Sequence, residues 1–163
     1  MNTISPDRGG PLALFSQRLE GLAGAERQQA VAALQRAGLP TRRVEAWKYT
    51  ALRVLGQTSL SAPAATYDAA AARAALDHVL AAQDGLANQP RLVFVNGRHT
   101  PDLSVAPKSV KVTFFADAQR FGNAAAPDRD PLVALNTALA EDGANMQVEA
   151  GVDGGTLLLV SIG

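Results

Sequence analysis

The chain has 163 residues, of which 47% are apolar and only 5% aromatic, and its basic and acidic residues balance to a formal net charge of zero. A core can therefore form, but Leu, Val and Ala must build most of it. The balanced charge lacks the basic footprint of a nucleic-acid-binding protein. Because the sequence has no cysteine, disulfides, thiolate nucleophiles and cysteine-bound zinc or iron–sulfur clusters are excluded within this chain.

The start of the chain, residues 1–10, is polar and rich in Gly, Pro and Ser, and we expect it to be disordered. It has no apolar stretch of signal-peptide type. Nowhere does the sequence hold the roughly 18 consecutive apolar residues that a membrane-spanning helix needs. We therefore predict a cytoplasmic protein with no membrane partner.

Residues 11–89 are predicted to form a helical region. One helix follows Pro11, and a second runs from about Ala25 to Ala37, where Gly38 ends it. Short helical turns are expected within 41–50 and over 52–55, before a Ser/Pro/Ala linker at 57–66. Asp68 is placed to cap a third helix over about 69–82. The predicted inward-facing residues of these helices are Leu12, Phe15, Leu19, Leu22, Val31, Leu34, Leu76, Val79 and Leu80.

Residues 90–163 change in character and predict an α/β region, so the fold class is α+β. Residues 91–95 are β-branched and aromatic, as is typical of a strand, and Asn96-Gly97 predicts a tight hairpin turn. Asp130 and Pro131 have the residue types that begin a helix. The other elements predicted here are a strand at 110–115, a helical turn at 117–121, a leucine stripe at 132, 135 and 139, and a half-buried strand at 146–150.

The last apolar segment, residues 156–162, is predicted to be a strand that is buried on both faces. Such a strand favours aggregation at an open edge unless something covers it. The segment either lies inside a sheet or is followed by more polypeptide, and we favour the second interpretation.

No pattern in the sequence predicts catalysis. The glycine-rich residues 151–155 lack the Lys-Ser/Thr of a phosphate-binding loop, and no serine lies in a Gly-x-Ser-x-Gly motif. His78 and His99 have no partner at metal-ligand spacing, and we expect both to be solvated. We therefore predict a domain that is not an enzyme and has no metal site and no cofactor in this chain.

The densest cluster of large and charged side chains lies at residues 41–50. We interpret Trp47 as a core residue whose indole N–H finds an acceptor in Glu45 or a carbonyl, in preference to an anchor for a partner. Thr41, Glu45 and Tyr49 are four residues apart in succession, which would place them on one helical face.

Residues 38–50, Gly-Leu-Pro-Thr-Arg-Arg-Val-Glu-Ala-Trp-Lys-Tyr-Thr, strongly resemble the amino-terminal signature of the SufD family of the Suf iron–sulfur cluster assembly system, and less closely that of its paralogue SufB. Later segments occur in the family's order: a strand like 91–97, a helix like 132–140 and a segment like 142–152. The resemblance spans nearly all of the chain from about residue 12. The signature residues, to which we assign a structural role, are Gly38, Leu39, Pro40, Thr41, Arg42, Glu45, Trp47, Lys48, Tyr49 and Thr50.

The resemblance implies both a fold and a set of partners. Family members are longer, so we expect this chain to be an amino-terminal fragment whose end leads into the first strands of a right-handed parallel β-helix. The protein would then be a scaffold or accessory subunit of a SufBCD complex with SufB-like and SufC-like partners, able to form a homodimer through β-helix strands. The family's cluster-related cysteine and histidine residues lie in the missing parts, so none is assigned here.

Two other functions remain open. One is a stand-alone protein-interaction module with a helical front and a small sheet. The other is a small-molecule-binding domain in which Arg42, Glu45 and Lys48 converge around Trp47.

Overall fold

The computed structural model describes residues 12, 15–50, 52, 57, 62–82, 84–118, 120–122 and 124–163. They form a mixed α+β fold with elements in the order α1 (Ser16–Leu19), α2 (Ala25–Ala37), α3 (Ala69–Ala81), β1 (Arg91–Val95), β2 (Arg98–His99), β3 (Lys111–Phe114), α4 (Phe115–Ala118), α5 (Pro131–Leu139), β4 (Ala144–Gln147) and β5 (Leu158–Ile162). Short 3-10 turns lie at Glu45–Trp47, Leu86–Asn88 and Pro101–Leu103. The predicted disordered start, the turn at 52–55 and most of the linker at 57–66 lie outside the described residues.

The chain divides into two compact units, one of residues 1–62 with 121–140 and the other of residues 63–120 with 141–163. These are not the sequential segments 11–89 and 90–163. The helix α3 belongs with the sheet-containing unit and α5 belongs with the first helices, because their apolar faces pack there.

In the first unit, α2 packs against α5. Ala33, Leu34 and Ala134 form its buried cluster, with half-buried leucines around them. The predicted leucine stripe of α5 is half-buried, with Leu135 packed against this cluster, and the buried residues of the helix are Ala134, Thr137 and Ala138. Small side chains on both helices leave room for their backbones to approach closely.

The second unit is built on a three-stranded sheet of order β2-β1-β5. Asn96 and Gly97 form the tight turn to β2 with positive φ angles of 51° and 76°, as their sequence predicted. β5 pairs with β1 in parallel, with Arg91 opposite Leu158 and Val95 opposite Ile162.

The helix α3 covers one face of this sheet. Asp68 caps it as predicted, because its carboxylate accepts hydrogen bonds from the backbone N–H groups of Ala70 and Ala71 at 2.9 and 3.0 Å. Leu76 is fully buried, but Val79 is exposed, contrary to our prediction. The shared core consists of Ala72, Leu76, Val93, Val95, Leu103 and Val160.

Residues 156–162 were expected to lie inside a sheet or beneath further polypeptide, and within the described part of the chain they do not lie inside a sheet. β5 is an edge strand whose only sheet neighbour among the described strands is β1. Val160 lies in the core at 7% exposure, whereas Leu159, on the opposite face, is 61% exposed. One face of β5 therefore packs in the core, and the other face carries an exposed leucine.

A second, two-stranded sheet pairs β3 with β4 in antiparallel register. The predicted half-buried strand at 146–150 is wrong in both position and burial. The strand ends at Gln147, and Met146 and Val148 are exposed. The helical turn predicted at 117–121 begins earlier, at Phe115.

Candidate functional site

The sequence signature follows directly from α2. Gly38 ends that helix with a φ of 66°, in the left-handed region that favours glycine, and its N–H donates to the Leu34 carbonyl at 2.8 Å. Leu39 is half-buried and Pro40 is buried. These three residues determine where the following segment leaves the helical unit.

Residues 41–50, here called the 41–50 surface, lie on the outside of the first unit. A single 3-10 turn, Glu45–Trp47, has no buried residue. Our interpretation of Trp47 as a core residue is wrong, since its side chain is only half-buried. Tyr49 is 89% exposed and Val44 is also exposed. The signature therefore begins with buried or half-buried residues and continues with mostly exposed ones.

The predicted helical face of Thr41, Glu45 and Tyr49 does not form. A face with four-residue spacing requires an α-helix, and this segment has only one turn of 3-10 helix. Thr41 instead accepts a hydrogen bond from the Arg43 backbone N–H at 3.3 Å. Thr50 closes the segment, with its N–H donating to the Trp47 carbonyl at 3.0 Å.

The charges on the 41–50 surface are unevenly paired. Lys48 Nζ lies 3.5 Å from Glu45 Oε1 and 5.4 Å from the centre of the Tyr49 ring. Arg42 and Arg43 are exposed, and among the described residues their guanidinium groups have no hydrogen-bond or ion-pair partner. The surface therefore presents two exposed arginines and, later in the same segment, an exposed aromatic ring.

The charged residues do not converge into a pocket around Trp47. The side chains of Glu45 and Lys48 are 87% and 48% exposed, and Arg42 also points its charge toward solvent. A groove of about 500 Å³ does lie in the first unit, between α2 and residues 121–128, but none of these charged residues lines it.

A second polar cluster, in the second unit, surrounds His99. Its imidazole stacks on the Phe114 ring with centroids 3.6 Å apart and planes 15° from parallel. Its Nε2 is buried and has no hydrogen-bond partner among the residues that the structure describes. Our expectation that His99 is solvated is therefore wrong, whereas His78 is exposed as expected.

Burial lowers the pKa of His99 below its ordinary value of 6.5, and the carboxylates of Asp142 and Asp117 oppose that shift. Asp142 also accepts a hydrogen bond from the His99 backbone N–H at 2.7 Å, and the neighbouring Arg98 pairs with Glu141. Sequence reasoning missed this cluster because the partners lie more than 40 residues away along the chain. No local pattern signals such a contact.

No group of three or more residues with metal-binding side chains occurs within the part of the chain that the structure describes. No helix in that part is both long enough and apolar enough to cross a membrane. No protein-family model matches the chain, and no curated protein matches it.

Proposed function

We propose that this chain is the amino-terminal domain of a SufD-like scaffold subunit in a cytoplasmic SufBCD complex that assembles iron–sulfur clusters. The domain is non-catalytic and acts through protein contacts. Its partners in the longer protein are SufB-like and SufC-like subunits.

The observation that carries this proposal is the segment 38–50. Its sequence resembles the SufD amino-terminal signature, and Tyr49, Arg42 and Arg43 of this segment are exposed. Large exposed side chains of this kind are common in protein–protein contacts. The segment's position after α2 and before β1 also follows the order expected for the family.

The geometry of β5 supports the expected β-helix. A parallel β-helix grows by adding strands in parallel register, and β5 pairs with β1 in that way over five residues. In a parallel ladder alternate residues direct their backbone groups to opposite sides, and Leu158 and Ile162 bond toward the β1 side. Leu159 and Ser161 therefore direct their N–H and C=O groups toward the open edge, where a further parallel strand can bond.

A stand-alone interaction module is the second candidate, because the same exposed 41–50 surface favours it. The small-molecule alternative that uses Arg42, Glu45, Trp47 and Lys48 is less favoured, because the three charged side chains of this set are exposed. The two remaining candidates differ in their partners, so they are separated by co-purification.

The test is to co-express the longer protein containing this chain with SufB-like and SufC-like subunits from the same source, with an affinity tag on the SufB-like subunit. We expect all three proteins to elute together at fixed stoichiometry. Recovery of the SufB-like and SufC-like subunits without this protein would reject the scaffold proposal and favour the stand-alone module. A matched variant without residues 1–163 shows whether this domain is needed for assembly.

A further inference from the structure

Two cations on the 41–50 surface have no hydrogen bond or ion pair with another residue that the structure describes. Arg42 and Arg43 are adjacent and exposed, whereas Lys48 of the same surface is paired with Glu45. The segment therefore has a local charge of plus two, from three cations and one carboxylate, in a chain whose net charge is zero. This local excess favours an anionic partner.

The type of anion follows from the geometry. A guanidinium group is a planar fork of donors that binds a carboxylate through two parallel hydrogen bonds. Nucleic acid requires an extended basic surface that follows several phosphates, and here the two arginines are followed at once by Val44 and Glu45. The arrangement fits carboxylates on a protein better than a phosphate backbone.

The residues beside the arginines supply an apolar contact. Tyr49 has almost its whole ring in solvent, Val44 is exposed, and Trp47 presents part of its indole. Tyr, Trp and Arg are enriched among the residues that dominate binding energy at protein interfaces. A segment that pairs acidic side chains with apolar ones would match both parts of this surface.

We propose that the 41–50 surface docks an acidic segment of a partner protein, with the partner's carboxylates on Arg42 and Arg43 and its apolar side chains against Tyr49. The inference rests on the proposed function in one respect, which is that the domain acts through protein contacts. It specifies the chemistry of the partner segment, which the co-purification experiment does not address.

The test uses the 163-residue chain and random 12-residue peptides displayed on phage. The chain is immobilised, bound peptides are selected and sequenced, and the most enriched peptides are synthesised with a fluorescent label. Their affinities are then measured by fluorescence anisotropy for the unmodified chain and for two double variants. Arg42→Glu/Arg43→Glu reverses the charge of the proposed site, and Lys108→Glu/Arg120→Glu makes the same change at exposed positions of the second unit.

We expect the enriched peptides to combine Asp or Glu with aromatic or aliphatic residues. Their affinity should fall at least about tenfold in Arg42→Glu/Arg43→Glu, because two charge-assisted contacts become repulsive, and should stay within about twofold in the control, because exposed charges at a distance are screened by salt. Tyr49→Ala should also weaken binding, and circular dichroism checks that each variant is folded.

Enrichment without an acidic bias, no enrichment, or equal loss in both double variants would overturn the proposal. Tighter binding of a labelled 20-nucleotide single-stranded oligonucleotide than of the peptides, through the same two arginines, would also overturn the proposal. Any of these results leaves the co-purification experiment unaffected, so failure of the docking surface and failure of the scaffold role are distinguishable.

Discussion

Arg27 of α2 binds the carboxyl end of α5, a contact that no sequence pattern indicated. Its two terminal nitrogens donate to the Ala138 and Ala140 carbonyls at 2.8 and 2.6 Å, at the carboxyl end of α5. Those carbonyls have no partner further along the helix, and a cation there also interacts favourably with the helix dipole. One side chain of α2 therefore caps α5.

Replacing Arg27 with Ala should lower the free energy of unfolding by about 2 kcal/mol, because two charge-assisted hydrogen bonds are lost at a half-buried position. Arg27→Lys should recover part of this, since an ammonium group cannot span both carbonyls as the guanidinium does. Urea denaturation measures both. The control is Arg36→Ala in the same helix, whose exposed guanidinium donates only within α2; a loss as large as that of Arg27→Ala would contradict the account.

His99 is expected to make stability depend on pH. Because burial lowers its pKa in the folded protein below the value of 6.5 in the unfolded chain, the unfolded state binds the proton more readily. The neutral His99 side chain therefore makes its full contribution to the free energy of unfolding above about pH 6.5. That contribution is lost as the pH falls through the lowered pKa of the folded protein. The carboxylates of Asp142 and Asp117 act on the same equilibrium in the opposite direction.

The measurement is urea denaturation at pH 7.5 and pH 5.5 for the unmodified protein, His99→Phe and His78→Gln. His99→Phe keeps a ring against Phe114 but cannot titrate, so it should lose less stability between the two pH values than the unmodified protein does. His78→Gln removes an exposed histidine and should behave like the unmodified protein. An unchanged pH dependence in His99→Phe would show that this histidine is not the group responsible.

At the scale of elements, the sequence predicted those structures whose signals are local. Asp68 and Asp130 cap their helices through bonds to the following backbone N–H groups, and Asn96-Gly97 turns the chain between two strands. Each signal lies within a few residues of the structure it determines. The parallel pairing of β1 with β5 joins segments more than 60 residues apart, and no local pattern specifies such a pairing.

We predict that substitutions on the two faces of β5 differ in their effect on the free energy of unfolding. Val160→Ala should lower the free energy of unfolding by about 2 kcal/mol, since it removes buried methyl groups and leaves a cavity. Leu159→Ala removes a larger apolar group but from an exposed position, and the change should stay within about 0.5 kcal/mol. Thermal or urea denaturation of the two variants compares them directly. Equal losses would mean that both faces of the strand are covered.

At the scale of the whole molecule, the α+β class was predictable but the grouping of elements was not. Composition and hydrophobic periodicity distinguish helices from strands. They do not indicate that α3 packs on the sheet, or that a small residue of α5, Ala134, is buried against α2. The 41–50 surface shows the same limit, because Trp47 and Tyr49 are residue types found both in cores and at interfaces, and only tertiary packing separates the two.

The account depends most on the claim that the 41–50 surface is a contact surface within a Suf complex. Hydroxyl-radical footprinting with mass spectrometry tests it directly, because tyrosine side chains are oxidised in proportion to their exposure. In the free protein Tyr49 should be oxidised readily, and in the complex with SufB-like and SufC-like subunits its oxidation should fall several-fold. Tyr67, 41% exposed in the second unit, serves as the internal reference and should be unchanged. Equal oxidation of Tyr49 in the free and assembled protein would contradict the account.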